Sequence, residues 1–297
     1  MSTQPIRVVA FIGLGKMGRP MAANLAKAGF GLRVMDRSAD AVRDFLAEHA
    51  AGAFDTPREA AAGSDVLITM LPAGRDVREV LLGRTPEDPD AARTGLKPGS
   101  LVIDMGSSAP LLTRETGQQL ATAGIAMLDA PVSGGVPRAR DGTLAIMVGG
   151  DQEVIEHARP VLAAMGSKLF VIGPLGSGHA MKALNNYVSA AGLAAAAEAL
   201  LVGRRFGLDP TVMTEVLNAS TGRNNSTENK LKQHILSGTF ASGFSLDLLA
   251  KDLATAVELA RDLGVPMPFA ERSVPLWKYA TAQLGPGADH TLPERIG

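Results

Sequence analysis

A chain of 297 residues, 46% hydrophobic and 20% charged, has an ordinary globular composition and length for about two domains with sizeable cores. Its formal net charge of −1 gives no electrostatic reason to expect nucleic acid or an anionic membrane surface as partner. Cysteine is absent, which removes disulfides and thiolate chemistry and fits a cytoplasmic location.

The opening stretch MSTQPIRVVAFIGLG has one early basic residue and an apolar run broken by glycines, without a secretory apolar core or cleavage site. From there to about residue 175, short apolar runs alternate with amphipathic stretches. Strands are predicted over 7–12, 32–35, 66–71, 101–104, 126–129, 145–148 and 169–172. Helical spacing marks 17–28, 39–50, 110–123 and 152–165. The alternation implies parallel βαβ units in a doubly wound sheet. The strands are nearly continuous in apolar residues, as expected when helices cover both faces. Residues 83–99, with three prolines and mixed charge, read as a surface loop.

After Gly176 the alternation stops, and helices are predicted over 180–206, 211–218, 246–263 and 268–283. The class change sets a boundary near residue 175. It gives a 1–175 α/β domain and a 176–297 all-helical domain, joined by a long helix over about 179–206. The most apolar part of that helix, 187–203, includes Glu198 and many alanines. It is too short and too weakly hydrophobic to read as a membrane span.

VVAFIGLGKMG joins the first strand to a helix through Gly13, Gly15 and Gly18, the spacing G-x-G-x-x-G. Gly13 permits a tight turn, Gly15 a close approach of backbone to pyrophosphate, and Gly18 close packing of helix on sheet. The helix N-terminus offers N–H donors to the phosphates. Asp36 ends the second strand about 20 residues later, where a carboxylate accepts from a ribose 2′-hydroxyl and repels a 2′-phosphate. Arg37 can stack on adenine or pair with phosphate. Together they make NAD the expected cofactor, with NADP still open.

Two further strand ends lie where open α/β sheets bind ligands. MLPAG ends one, with Pro72 breaking it. DMGSSAP ends the next and leaves Ser107 open between a cofactor contact and a plain turn, while Ser108, before Pro110, reads as a helix cap. In DAPVSGGVPRARDGTLAIMVGG, Ser133, Gly134 and Gly135 expose successive backbone N–H groups suited to a carboxylate. A flexible loop between strands is the competing reading.

Lys182, Asn185, Asn186 and Ser189 share a helix face by their spacing. A lysine on a solvated face is the usual case, yet the flanking residues leave little polar surface. A buried ammonium gives up its proton more readily, which suits a general acid and base. Asn186 can orient a hydroxyl or carboxylate, and His179, one turn earlier, reads as a helix-entry residue. Lys251 sits in an apolar helix beside Asp252, as a surface ion pair or as a reach toward the nicotinamide side. The five histidines show no metal-ligand spacing, so no metal is expected.

Together these motifs resemble the β-hydroxyacid dehydrogenase family, which contains 3-hydroxyisobutyrate dehydrogenase and tartronate semialdehyde reductase and is distantly related to 6-phosphogluconate dehydrogenase. FIGLGKMGRPMAANLAKAG, DAPVSGGV, GSGHAMKALNN and LLAKDLATA carry the resemblance in order across nearly the whole chain. It implies an N-terminal Rossmann domain, a C-terminal helical domain and an active site between them. Lys182 matches the catalytic lysine, Asn186 the substrate-binding asparagine, and Ser133, Gly134 and Gly135 the substrate-carboxylate loop. Gly13, Gly15, Lys16, Met17, Gly18, Leu71, Pro72, Ser107 and Lys251 match cofactor positions. The resemblance also implies a homodimer or homotetramer.

Two departures stand out. Gly106–Ser107 replaces the family's frequent serine–threonine. Arg223, Asn224 and Asn225 lie in a polar segment, 220–240, that reads as part of substrate selection or as a solvated loop. The implied reaction is hydride transfer between NAD(P) and a small 3-hydroxy acid or its semialdehyde, such as 3-hydroxyisobutyrate or tartronate semialdehyde. Imine reductases and non-catalytic dinucleotide-binding proteins share the scaffold, but typically lack a lysine at position 182.

Overall fold

The computed structural model describes residues 5–292. Its strands are β1 Val8–Ile12, β2 Gly31–Met35, β3 Gly52–Ala53, β4 Val66–Thr69, β5 Leu101–Asp104, β6 Ala126–Asp129, β7 Val132–Ser133, β8 Leu144–Gly149 and β9 Gly166–Gly173. Between them run helices α1 Gly18–Lys27, α2 Ala39–Leu46, α3 Pro57–Ala61, α4 Gly74–Leu82, α5 Ala92–Gly95, α6 Pro110–Ala121, α7 Gly135–Asp141 and α8 Gln152–Met165. Then come α9 Ser177–Phe206, α10 Pro210–Ala219, a π-helix Thr227–Leu236, α11 Leu246–Asp262 and α12 Pro268–Leu284. The chain divides into two compact units between Lys182 and Ala183.

In the first unit the strand order β3-β2-β1-β4-β5-β6 is parallel throughout, the doubly wound arrangement. Order reverses between β1 and β4, so the turn after β1 sits at the topological switch. Strand alternation sends Val9, Phe11, Val34 and Ile103 into one buried cluster and Ala10, Ile12, Leu67 and Val102 into another. Both faces of the central sheet are therefore covered. Beyond β6 the sheet changes character: β8 runs antiparallel to it through Asp129 and Gly149, β7 antiparallel to β8, and β9 parallel to β8. The covered-strand expectation fails at β9. It lies off the main path, and Phe170, Val171 and Ile172 are exposed.

Several short elements escaped the sequence reading. Residues 83–99 contain α5, and 52–82 contain β3, α3 and α4 as well as β4. For α3 a signal existed: Thr56 and Glu59 form a reciprocal capping box with Pro57 at the first helical position. Likewise 220–240 holds the π-helix, and 132–141 holds β7 and α7 rather than a flexible loop.

In the second unit α9 contributes Ala190, Leu193, Ala196 and Leu200 to a core shared with Leu231, Ile235, Leu246, Leu249, Leu253 and Trp277. At 30 residues, with mean hydropathy 1.2 over its most apolar window, α9 is long and apolar enough to cross a bilayer. Only 33% of that window is buried: Ala190, Leu193, Ala196 and Leu200 face the core of the second unit, while Val188 and Val202 are exposed. Near the chain end a polar latch holds residues 287–291 against the start of α11. Leu246 N–H donates to the Ala288 carbonyl at 2.7 Å, and His290 N–H to the Phe244 carbonyl at 3.1 Å. Asp289 accepts from Ser242 and Thr291, and the His290 ring packs edge-on against Phe244.

His290 Nδ1 lies 3.0 Å from the Phe244 carbonyl, which can only accept, so the ring donates there. Burial, and then the Lys230 charge, push His290 down to about 4. Its 3.8 Å approach to Asp289 is therefore not an ion pair at neutral pH. The unfolded chain binds a proton on this ring below its ordinary value of 6.5, and the folded chain only below about 4. Stability is accordingly expected to fall as pH drops from 6.5 to 4, by about 3 kcal/mol in full. Urea unfolding across that window checks this, and His290→Leu should flatten the slope.

Candidate active site

The turn after β1 is shaped by close approaches. Gly13 N–H donates to the Met35 carbonyl at 2.9 Å, and a Cβ on Gly13 would meet the Met70 carbonyl at the end of β4. A Cβ on Gly18 would run into the Gly13 carbonyl, whereas nothing lies within 4 Å of one on Gly15. Backbone is thus crowded on the sheet side and open at Gly15, the arrangement a pyrophosphate needs. Asp36 locks this loop: Oδ2 accepts from Leu14 N–H at 2.6 Å and Oδ1 from Ser38 N–H at 2.8 Å. Lys16 and Arg37 are exposed, and Met17 is half-buried just before α1.

Leu71 and Pro72 follow β4, and Ser107 follows β5, so two neighbouring strand ends bring these positions to one edge of the sheet. A Cβ on Gly106 would stand 2.8 Å from the Leu71 carbonyl. A side chain at 106 would require the two strand ends to shift apart. Ser108 is not a helix cap. Ala109 precedes α6 in that role, and the Ser108 hydroxyl donates to Asp104 Oδ2 at 2.6 Å. The residues present fit a bound dinucleotide: an open glycine backbone, a fixed carboxylate after β2, and small groups at two neighbouring strand ends.

Ser133 ends β7, and Gly134 and Gly135 follow with φ of +134° and +66°. Both angles favour glycine, so this is a fixed turn. A Cβ on Gly134 would collide with the aliphatic stem of Arg138, a cation beside the loop that the sequence reading passed over. Lys182 Nζ donates to the Val132 carbonyl at 2.9 Å, which sets the ammonium beside the residue preceding Ser133.

What holds Lys182 there is Asp129, at the end of β6. Its Oδ1 accepts from Gly176 N–H and its Oδ2 from His179 N–H, each at 2.7 Å. One buried carboxylate thus caps the start of α9 from another element. Gly178 allows the approach, since a Cβ there would meet the Met147 carbonyl. His179 is fully buried among polar groups. Its Nδ1 is 2.8 Å from Thr113 Oγ1 and 3.7 Å from Asp129 Oδ2, and its Nε2 is 3.6 Å from Asp104 Oδ2.

In the second unit, Asn186 is buried and engaged at both ends of its amide. Nδ2 donates to Asp252 Oδ2 at 2.5 Å, and Oδ1 accepts from Asn185 Nδ2 at 3.1 Å. Lys251 Nζ stands 3.4 Å from Asp252 Oδ1. The Lys–Asp pair is therefore not a surface one, because Asp252 is buried and also holds Asn186. Lys230 on the π-helix donates to Ser189 at 3.1 Å, and burial pushes it down to about 8. Arg223 pairs with Glu228 at 2.7 Å, and Asn224 Oδ1 accepts from Ser226 and Thr227 N–H, so both shape the entry to the π-helix. Asn225 is exposed. Among the described residues no set of histidines and carboxylates is arranged to hold a metal ion.

Residues 8–173 match the family model for the NAD-binding domain of 6-phosphogluconate dehydrogenase. Residues 176–295 match the model described as the NAD-binding part of NADP-dependent 3-hydroxyisobutyrate dehydrogenase. The chain belongs to the β-hydroxyacid dehydrogenase family. It is an NAD(P)-dependent oxidoreductase on a Rossmann-type fold with a helical C-terminal part. The 2-(hydroxymethyl)glutarate dehydrogenase of Eubacterium barkeri is 37% identical, over 92% of this chain and 89% of its own. The 3-hydroxyisobutyrate dehydrogenase of Pseudomonas aeruginosa is 41% identical, over 88% of each chain. A solved structure of Mycobacterium tuberculosis 3-hydroxyisobutyrate dehydrogenase with L-serine superposes with a TM-score of 0.89 at 32% identity, covering 98% of this chain and 99% of that one.

The two family matches meet between residues 173 and 176, while the compact units of this dehydrogenase part at Lys182 and Ala183. Asp129 explains the offset by binding the first turns of α9 to the first unit. Replacing Asp36 with serine should raise the KM for NAD at least tenfold and improve NADP, because a fixed carboxylate no longer repels the 2′-phosphate. Initial rates with both cofactors check this.

Proposed function

We propose that this dehydrogenase interconverts a small 3-hydroxy acid and its semialdehyde, with Lys182 as the general base and acid. The observation that supports this most is the Lys182–Val132 hydrogen bond, which sets an ammonium beside the Ser133-Gly134-Gly135 turn. Bound NAD supplies the hydride acceptor. Gly13, Gly15, Lys16, Met17 and Gly18 would hold its phosphates, Asp36 and Arg37 its adenosine end, and Leu71, Pro72 and Ser107 would flank it. The backbone N–H groups of Ser133, Gly134 and Gly135 take the substrate carboxylate and fix the hydroxyl carbon. As hydride leaves that carbon, its hydroxyl proton passes to neutral Lys182. In reduction the ammonium protonates the developing alkoxide. Asn186, steadied by Asp252, orients the reacting oxygen. The resemblance assigns Lys251 to the cofactor, and its pairing with Asp252 supports a share in holding Asn186.

The relatives' names frame the substrate choice: 3-hydroxyisobutyrate and 2-(hydroxymethyl)glutarate both carry a hydroxymethyl group next to the carbon bearing a carboxylate. The lysine at position 182 argues against imine reduction and against a purely non-catalytic role. We also place the functional division near residue 175, and the enzyme in the cytoplasm as a homodimer or homotetramer. Exposed apolar side chains of the second unit, such as Val202 and Phe206 (83% exposed), support association.

Nicotinamide absorbance should show turnover with a panel of 3-hydroxyisobutyrate, L-serine, 2-(hydroxymethyl)glutarate and tartronate semialdehyde. Lys182→Ala should cut kcat by roughly 10²–10⁴ while cofactor binding persists. Turnover that survives the mutation removes Lys182 from the chemistry. Light scattering should give a mass of two or four chains, and a monomer would refute the association.

A further inference from the structure

The second unit holds a half-buried cation that the hydride and proton steps do not use. Lys230 of the π-helix donates to Ser189 Oγ on α9 at 3.1 Å, and among the described residues no carboxylate lies within ion-pair distance of it. Asp289 acts on it only from further away, and its oxygens already accept from Ser242, Gly243 and Thr291. The His290 ring on the same side is neutral at pH 7. Burial pushes Lys230 down to about 8, so at neutral pH the ammonium is still charged. A partly desolvated cation without a counter-charge is costly to keep.

Ser189 is short of a partner in the complementary sense. Its hydroxyl accepts from Lys230, yet among the described residues it donates to no group. Thr255 and Ser273, by contrast, donate back to the carbonyl four residues earlier in their helices. An ammonium and a hydroxyl proton thus stand together, both half-buried and both able to donate. The packing places them deliberately. A Cβ on Gly192 would stand 3.2 Å from Asn224 Oδ1, so a glycine lets the entry to the π-helix press on α9 one turn from Ser189. π-Helices are rare and recur at functional sites. Ser189 also follows Asn186 by three residues on the same face of α9, about 4.5 Å along the axis.

We propose that Lys230, with Ser189, is a specificity-determining site for a second carboxylate, so that the preferred substrates are 3-hydroxy acids that carry a carboxylate distal to the reacting carbon. This rests on the reading of Asn186 as the group that orients the reacting oxygen. A substrate held there and extended along α9 brings its distal carboxylate to Lys230 and Ser189, which supply one charge-assisted and one neutral hydrogen bond. The carboxylate is the counter-charge that the resting unit lacks.

Calorimetry on the full chain with NADH bound tests this without turnover. The tighter of succinate and glutarate should bind roughly 10- to 100-fold more strongly than butyrate. Lys230→Met should bring that ratio close to one. Equal affinities in the wild type overturn the proposal, as does a ratio unmoved in the folded variant. Lys230→Gln replaces the methionine variant if that folds poorly, and the wild-type ratio needs no variant at all. Initial rates give a second readout. The kcat/KM for 2-(hydroxymethyl)glutarate relative to 3-hydroxyisobutyrate should fall in Lys230→Met by the same factor, chiefly through KM. A lysine that only ties the π-helix to α9 would lower both rates alike, and that result also overturns the proposal. An error in the hydroxy acid reading appears separately, as absent turnover on every acid while the binding ratio persists.

Discussion

The carboxylate of Asp129 is the constraint on which the rest of the first unit's chemistry depends. It ends β6, accepts two backbone N–H groups from the start of α9, and so fixes where a 30-residue helix begins. Charge-assisted bonds to a buried carboxylate are each worth about 1.5–3 kcal/mol, more than a side-chain cap on an exposed helix. Three residues after Asp129 comes Val132, whose carbonyl holds the Lys182 ammonium. One strand end therefore fixes both the root of the helix and the tip of its lysine.

The same economy of parts recurs along the sheet edge. Asp36 holds Leu14 and Ser38, Asp104 holds Thr69, Gly106 and Ser108, and Asp129 holds Gly176 and His179. Each is a carboxylate at a strand's C-terminal end that takes donors from the loop it must shape. The parallel sheet delivers these acids to one edge, and glycines at 13, 18, 106 and 178 let backbone approach closely enough to be held. These loops are tied to the sheet by hydrogen bonds to carboxylates, which fix direction as well as distance.

How much of this was legible follows from how far apart the partners lie in sequence. The glycine turn and Asp36 are local grammar, readable because strand, turn and helix follow one another within one unit. Lys182 was readable because a lysine in so apolar a helix demands an explanation. The pairs that hold the site were not: Asp129 with His179, Thr113 with His179, and Asn186 with Asp252 are 50 to 66 residues apart. No periodicity encodes such partners. Ser108 shows the converse error, since the cap grammar before a proline was sound, but a buried aspartate four residues back competed for the hydroxyl. The π-helix also lay outside reach, because its wider turn breaks the spacing by which α-helices are recognised.

The bond from Lys182 to the Val132 carbonyl has a directional consequence. A carbonyl can only accept, so one N–H of Nζ is spent on the peptide oxygen before any substrate arrives. On the proposed chemistry, a substrate oxygen that comes to meet this amine must compete with a backbone acceptor. One peptide oxygen thus sets where the amine waits in both directions of the reaction.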